Sequence, residues 1–342
     1  MAQRKKHDSS PAKFDVVSFG ETMLRFTPIG SRLEDANQFT SHVAGTEANT
    51  LVGLARLGLD VAWVSALPQN PPGYRVASEL RNHGVNIDYI QWDEETARLG
   101  IFYAEELPSP IGTKVYYDRA HSAFAETYPP VWDLSVIDSA KLVHLTGITP
   151  ALSVNAYQLF ENCLARAGEV GVPVSFDTNY RHKLWLWRED EAPRAMESAC
   201  RQARLLFVPM GDAEHLWNFT GSPKEVLKQL ADRFAEKGKE KTIIVTCGSD
   251  GSAHWDNGAF HHEPAFPTEG TVRFGSGDAF TAGYLSYWMG RWKSFPFVNI
   301  ELNPLKVGNA MAALKRCIPG DLCVVAPDEL ISLLTKSSAR FR

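Results

Sequence analysis

Short apolar runs alternate with stretches of helical spacing along almost the entire chain, and few folds accommodate that order. Residues 14–20 read as a buried strand that ends in a turn. Residues 46–57 read as a helix carrying Ala48, Leu51, Val52, Leu54 and Ala55 at helical spacing. A strand at 60–66 and a helix at 74–83 follow, the latter closed by Gly84 as a glycine just past a helix closes it. Further strands fall at 142–145, 172–176, 205–208 and 242–246, separated by helical stretches, and the last helices cover 279–289 and 305–315. This is the pattern of an α/β protein whose mainly parallel, doubly wound sheet is flanked by helices. It breaks between residues 89 and 119. Strands at 100–105 and 113–118 are joined there by a Pro/Gly loop without a helix, and with 23–27 they form a small antiparallel β lid. The expected organisation is a disordered tail over 1–12, one domain over 13–330 with lid strands inserted around 22–44 and 98–120, and a C-terminal tail over 331–342.

Composition excludes several classes. The net charge of −5 gives no support to nucleic-acid binding, and Arg4-Lys5-Lys6 is a short basic patch in a polar tail. No apolar run approaches the roughly 18 residues that span a bilayer, and no secretory leader is recognised at the N-terminus. The five cysteines are odd in number, scattered and without a CxxC pair, so neither a disulfide framework nor a zinc site is indicated. Reduced thiols in a cytoplasmic protein account for them.

The chemistry concentrates in Arg273-Phe-Gly-Ser-Gly-Asp-Ala-Phe280. Gly275, Ser276 and Gly277 precede Asp278 at the start of a helix, where backbone N–H groups and the helix dipole favour an anion. A carboxylate beside such an anion hole suits phosphoryl transfer, the amides holding the charge of the moving group while Asp278 accepts the proton of the attacking hydroxyl. The same segment also reads as a glycine-rich helix start with an acidic first turn, worth a few tenths of a kcal/mol. Two competing nucleotide motifs fail. Phe280 stands where a dinucleotide fingerprint needs a small residue, and Gly238-Lys239 runs into Glu240 without a Walker spacing.

The order of motifs resembles the ribokinase-like (PfkB) carbohydrate kinases, and within them the 2-keto-3-deoxygluconate kinases. Ala44-Gly-Thr-Glu-Ala-Asn49 with Ala55-Arg-Leu-Gly58 matches near the N-terminus and Gly275–Asp278 near the C-terminus. Gly45 and Asn49 are thereby implied as substrate contacts, although Thr46 read alone is a helix cap. Tyr117-Asp-Arg-Ala-His-Ser-Ala123 and Asp177-Thr-Asn-Tyr-Arg181 resemble the ketodeoxygluconate subgroup. They imply that Tyr117 and Arg119 face a sugar acid, that Arg181 serves both substrate and transferring phosphate, and that Phe102 or Tyr103 stacks on the sugar. On the nucleotide side the resemblance implies Asn179, Thr246, Gly248, Gly251 and Asn309, the last beside the helix that ends in Leu314-Lys-Arg-Cys-Ile-Pro-Gly320.

ATP and magnesium are the implied cofactors, with Glu214 arranging magnesium waters. Three departures stand out: Ser276 replaces a commoner alanine, Gly211 replaces an asparagine three residues before Glu214, and Val272 replaces an aspartate associated with a monovalent cation. The last argues against strong potassium activation. Partners are thus a sugar acid and ATP, with the lid's free edges offering a pairing surface for a second copy. A kinase of a neutral sugar such as fructose or ribose, and a non-catalytic member of the same fold, are the competing readings.

Overall fold

The computed structural model describes residues 12–107, 110–186, 189–292 and 301–335. Its strands are β1 (Phe14–Phe19), β2 (Met23–Pro28), β3 (Phe39–Ala44), β4 (Val61–Pro68), β5 (Asn86–Asp93), β6 (Ile101–Glu106), β7 (Thr113–Asp118), β8 (Ala140–Thr146), β9 (Val174–Asp177), β10 (Leu205–Phe207), β11 (Thr242–Thr246), β12 (Ser252–Asp256) and β13 (Ala259–Glu263). The main sheet runs β13-β12-β11-β10-β9-β8-β1-β4-β5. From β5 to β11 every pairing is parallel, and β12 and β13 finish the edge as an antiparallel hairpin.

Period-2 alternation divides the strand side chains between two helical layers. On β4, Ala62, Val64 and Ala66 pack with the helices Val154–Val170, Ala192–Gln202 and Pro223–Phe234. Val61, Trp63 and Leu67 face the opposite layer, formed by Thr46–Arg56, Pro71–Asn82, Ser276–Trp288, Pro304–Lys315 and Pro327–Thr335. With both faces covered, the strands read as near-continuous apolar runs, which is why they stood out in the sequence.

The lid has the order β3-β2-β6-β7. Its two hairpin pairs are antiparallel, and the β2–β6 pairing that joins them is parallel. Met23, Ala44, Phe102 and Ala104 form its small apolar core, against which Tyr117 and Phe274 pack.

Several boundaries differ from expectation. The helix expected at 74–83 begins at Pro71, because Asn70 accepts the Gly73 N–H at 3.2 Å and proline suits the first helical turn. β5 continues the main sheet through Asp93, so the break in alternation starts later than residue 89. The β12–β13 hairpin was not anticipated, although Asn257 and Gly258 both adopt positive φ (46° and 102°), as an Asn-Gly hairpin turn requires. The tail expected over 331–342 continues helix Pro327–Thr335 as far as Thr335, with Leu334 buried. The remainder of that tail, and residues 1–11 of the N-terminal one, lie outside the described residues. Among the described residues no helix is long and apolar enough to cross a membrane.

Candidate active site

A cavity of about 880 Å³ lies between the lid and the C-terminal ends of the central parallel strands, where open α/β sheets place ligands. Asp177 at the end of β9 and Pro209 just past β10 form part of its floor, and Phe102 and Tyr117 of the lid form part of its roof.

Asp278 is the third residue of helix Ser276–Trp288 and is buried in the cavity wall. Its Oδ1 accepts the Thr46 hydroxyl at 2.6 Å and its Oδ2 accepts the Asn49 amide at 2.7 Å. Asn179, at a positive φ of 37°, donates its own amide to Thr46 Oγ1 at 2.8 Å. A hydroxyl has a single proton, so Thr46 receives from Asn179 and passes its hydrogen to Asp278. Burial pushes the Asp278 carboxyl above its usual range, opposed by Thr46, Asn49, Arg181 and Lys315.

Thr46 is therefore not the helix cap that its position suggests. Gly45 occupies the N-cap with an extended backbone, and no side chain caps the helix. Thr46 and Asn49 are three residues apart, hence on one helix face. That spacing was the available signal for a shared partner. Asn49 spends its N–H on Asp278 and its Oδ1 accepts the Gly45 N–H at 3.4 Å, so it orients the carboxylate. At Gly45 itself a Cβ would come within 2.5 Å of the Glu21 carbonyl oxygen and 2.6 Å of Thr22 Oγ1. The close approach there is made by the protein's own backbone.

The segment expected to form an anion loop has its own backbone geometry. Gly275 takes the left-handed conformation at φ 74° and starts the helix. The Ser276 N–H turns back to the Arg273 carbonyl at 3.3 Å, and its hydroxyl bonds the same oxygen at 2.9 Å. First-turn amides have no intrahelical partner, which leaves those of Gly277 and Asp278 as the free donors. Space beside Gly277 is open, since a Cβ there would meet nothing within 4 Å. At Gly275 a Cβ would overlap the Asp321 carbonyl oxygen. Gly275→Ala is accordingly expected to lose about 2 kcal/mol or more of stability from the left-handed backbone and the overlap together. Thermal unfolding measures that loss, and an unchanged melting temperature would contradict the geometry.

Arg119 lines the cavity but is not a free guanidinium. Buried at 7% exposure, it donates through Nε to Glu21 Oε2 at 2.8 Å, and Nη2 reaches the same oxygen. The guanidinium also lies 5.6 Å from the Tyr117 ring centroid. Glu21 escaped the sequence reading although it directly follows the first strand and turn. Arg181 and Arg273 are both exposed and both line the cavity, as does Lys183, so the cationic wall is broader than Arg119 and Arg181 alone. Of the two lid aromatics, Phe102 faces the cavity beside Tyr117 and Phe274, whereas Tyr103 packs with Phe26 and Phe39.

The residues assigned to the nucleotide divide. Thr246 and Gly248 line a second cavity of about 510 Å³ with Gly211 and Asp250, and Pro209 borders both cavities. Asn179 stands instead beside Asp278 in the first cavity. Gly251 lines neither cavity. At φ 95° it lets the chain pass the Glu263 carbonyl, which a Cβ would overlap. Asn309 also lines neither: it accepts the Ser252 hydroxyl at 3.0 Å and donates to the carbonyls of Glu263 and Pro264 at 3.0 and 3.1 Å. Its amide is consumed in holding the β12–β13 hairpin to helix Pro304–Lys315.

Glu214 is exposed and outside both cavities. Asp212, two residues earlier, is the structural carboxylate here, accepting the Thr178 hydroxyl at 2.7 Å and the Tyr180 N–H at 2.8 Å. Among the described residues no group of three or more His, Cys, Asp or Glu is placed to hold a metal ion. Asp177 lines the first cavity, and burial followed by the nearby Asp212 and Asp278 charges pushes it up to about 8. A cation brought in on nucleotide phosphates would favour its charged form, so this one carboxylate fits a nucleotide-borne magnesium ion better than a protein-held one.

The model of the pfkB family carbohydrate kinases matches residues 13–315. The chain belongs to that family. As a pfkB sugar kinase it is 36% identical to the 2-dehydro-3-deoxygalactonokinase of Haloferax volcanii, over 95% of this chain and 98% of the relative. It is 28% identical to the 5-dehydro-2-deoxygluconokinase of Clostridium tetani, over 88% and 86%. Among solved structures, the 2-dehydro-3-deoxygluconokinase of Thermotoga maritima superposes on this pfkB kinase with a TM-score of 0.81 at 30% identity, covering 94% of this chain and 99% of that one.

Proposed function

We propose that this pfkB kinase transfers the γ-phosphoryl group of ATP to a 2-keto-3-deoxy sugar acid, derived from gluconate or galactonate, at its C6 hydroxyl. One observation carries the reading: a buried carboxylate held at both oxygens faces the same cavity as Arg181, Arg273 and Lys183. A sugar acid and a triphosphate both reward such a wall, and guanidinium groups recognise carboxylates through paired N–H donors. The similarity to ketodeoxy acid kinases supports the same class of substrate.

In this mechanism Asp278 takes the proton of the attacking hydroxyl, while Thr46 and Asn49 keep its oxygens aimed. The amides of Gly277 and Asp278, with Arg181, hold the charge on the transferring group. Tyr117 and Phe102 cover the sugar, and the lid excludes water. The nucleotide base and ribose extend toward the second cavity past Pro209. Asp177, which lines this cavity, would stand near a magnesium ion carried by the nucleotide, and that ion would supply charge neutralisation.

Because a protonated Asp278 cannot accept the hydroxyl proton, kcat/KM is expected to fall on the acid side of its pH profile. Asp278 lies above the ordinary carboxylate range, so the midpoint of that fall should lie above it too. A profile flat down to the ordinary carboxylate range would remove Asp278 from the base role.

A neutral sugar is the second reading, and one observation favours it: Arg119 already serves Glu21. Coupled ADP release with magnesium-ATP separates the two when 2-keto-3-deoxygluconate, its galactonate epimer, fructose and ribose are assayed together. Selective turnover of a ketodeoxy acid supports the proposal, and selective turnover of fructose or ribose overturns it.

A further inference from the structure

Lys315 ends helix Pro304–Lys315, and none of its side chain reaches solvent. A buried ammonium is costly unless acceptors surround it. Its Nζ donates to the Ile318 carbonyl at 3.0 Å and the Gly320 carbonyl at 2.8 Å, so the chain after the helix folds back around one positive charge. That turn lies directly behind the anion loop. The next residue, Asp321, sets its carbonyl against Gly275, and Lys315 Cε lies 3.3 Å from where a Gly275 Cβ would stand. The segment leading to the loop is tied to the same turn, the Val272 N–H donating to the Arg316 carbonyl at 3.2 Å.

Asp321, the Cys323 thiol and Asp278 favour the charged ammonium electrostatically, while burial and the nearby Arg25 oppose it. The Asp321 carboxylate has its own partner in the buried Arg25, whose Nε lies 3.1 Å from Oδ2. Lys315 is therefore not neutralised by a dedicated carboxylate. A core that needed only volume here would be served at lower cost by an apolar side chain of the same length.

We propose that Lys315 is a positioning residue for phosphoryl transfer: its ammonium draws the Ile318 and Gly320 carbonyls inward, seats Asp321 behind Gly275, and keeps a fixed positive charge behind the anion loop in place of an exchangeable cation. The inference rests on the kinase reading above. Carbonyl oxygens that converge on an ammonium can also take a small monovalent ion once the side chain is removed.

The test compares wild type, Lys315→Met and Lys315→Ala in sodium, potassium, ammonium and tetramethylammonium chloride at equal ionic strength, reading kcat, KM and melting temperature. Wild type should be indifferent to the cation. Lys315→Ala should lose about tenfold or more in kcat, with a smaller change in KM, as loss of a preorganised charge predicts. Ammonium or potassium should restore part of both kcat and melting temperature, and tetramethylammonium, too large for the space, should restore neither. Potassium activation of the wild type, full kcat in folded Lys315→Met, or a loss in Lys315→Ala that no cation repairs would each overturn the proposal. Potassium activation of the wild type overturns the proposal even if a variant does not fold. Should the wild type phosphorylate none of the sugars, the functional reading fails, while cation-dependent recovery of the Lys315→Ala melting temperature still judges the carbonyl cage.

Discussion

Asp278→Asn is expected to lower kcat about 10²-fold or more while leaving KM for the sugar nearly unchanged, on the magnitude of general-base catalysis. The substitution keeps the shape of the side chain. Its amide oxygen can still accept from Asn49, and its NH₂ can donate to the second lone pair of Thr46 Oγ1 beside the Asn179 amide, at the cost of the acceptor that the Thr46 hydroxyl hydrogen had. The wall of the cavity thus survives and only the proton acceptor is lost. Steady-state kinetics with coupled ADP release checks this. Turnover near the wild-type value would mean that another group takes the proton, and Asp177, lining the same cavity, would be the next to substitute.

Arg119→Ala should have the largest effect on stability. It removes the partner of Glu21, a carboxylate that is itself 5% exposed, and an abandoned buried charge typically costs about 3–5 kcal/mol. A clear drop in melting temperature is expected, with much of it recovered in the double variant Arg119→Met/Glu21→Gln. The same pair of variants addresses recognition. If the remaining N–H donors of Arg119 meet a substrate carboxylate, the double variant will be folded yet will lose far more kcat/KM on a ketodeoxy acid than on fructose. Equal losses on both would confine Arg119 to holding Glu21.

The fold was legible because its strands are covered on both faces, so each announces itself as an apolar run bounded by helical spacing. The elements that escaped lie where that condition fails. β13 is largely exposed, and its hairpin with β12 carries polar and histidine residues that no periodicity argument collects. Only the Asn257-Gly258 turn could have revealed it. The site was legible where backbone chemistry demands particular residues, as at Gly275 before Asp278. It was not legible where a role depends on a partner far away in sequence. Arg119 and Glu21 are 98 residues apart, and neither residue's surroundings mention the other. Asn309 and Gly251 show another side of this: polar and glycine residues in suggestive places also serve the scaffold, one by hydrogen bonds and the other by a close backbone pass.

Thr46 and Asn49 meet Asp278 across 232 and 229 residues of chain. During synthesis the N-terminal helix can settle on β1 and β4, but the side that meets helix Ser276–Trp288 must wait uncovered until nearly the whole polypeptide has left the ribosome. Contacts of such sequence separation form late and slowly, and the waiting surface is prone to association with other nascent chains. Catalytic competence is consequently the last property the molecule acquires. The appearance of activity during translation would time the completion of folding itself, and a chain halted before the final helices should be inert even with its lid strands and most of its central sheet already made.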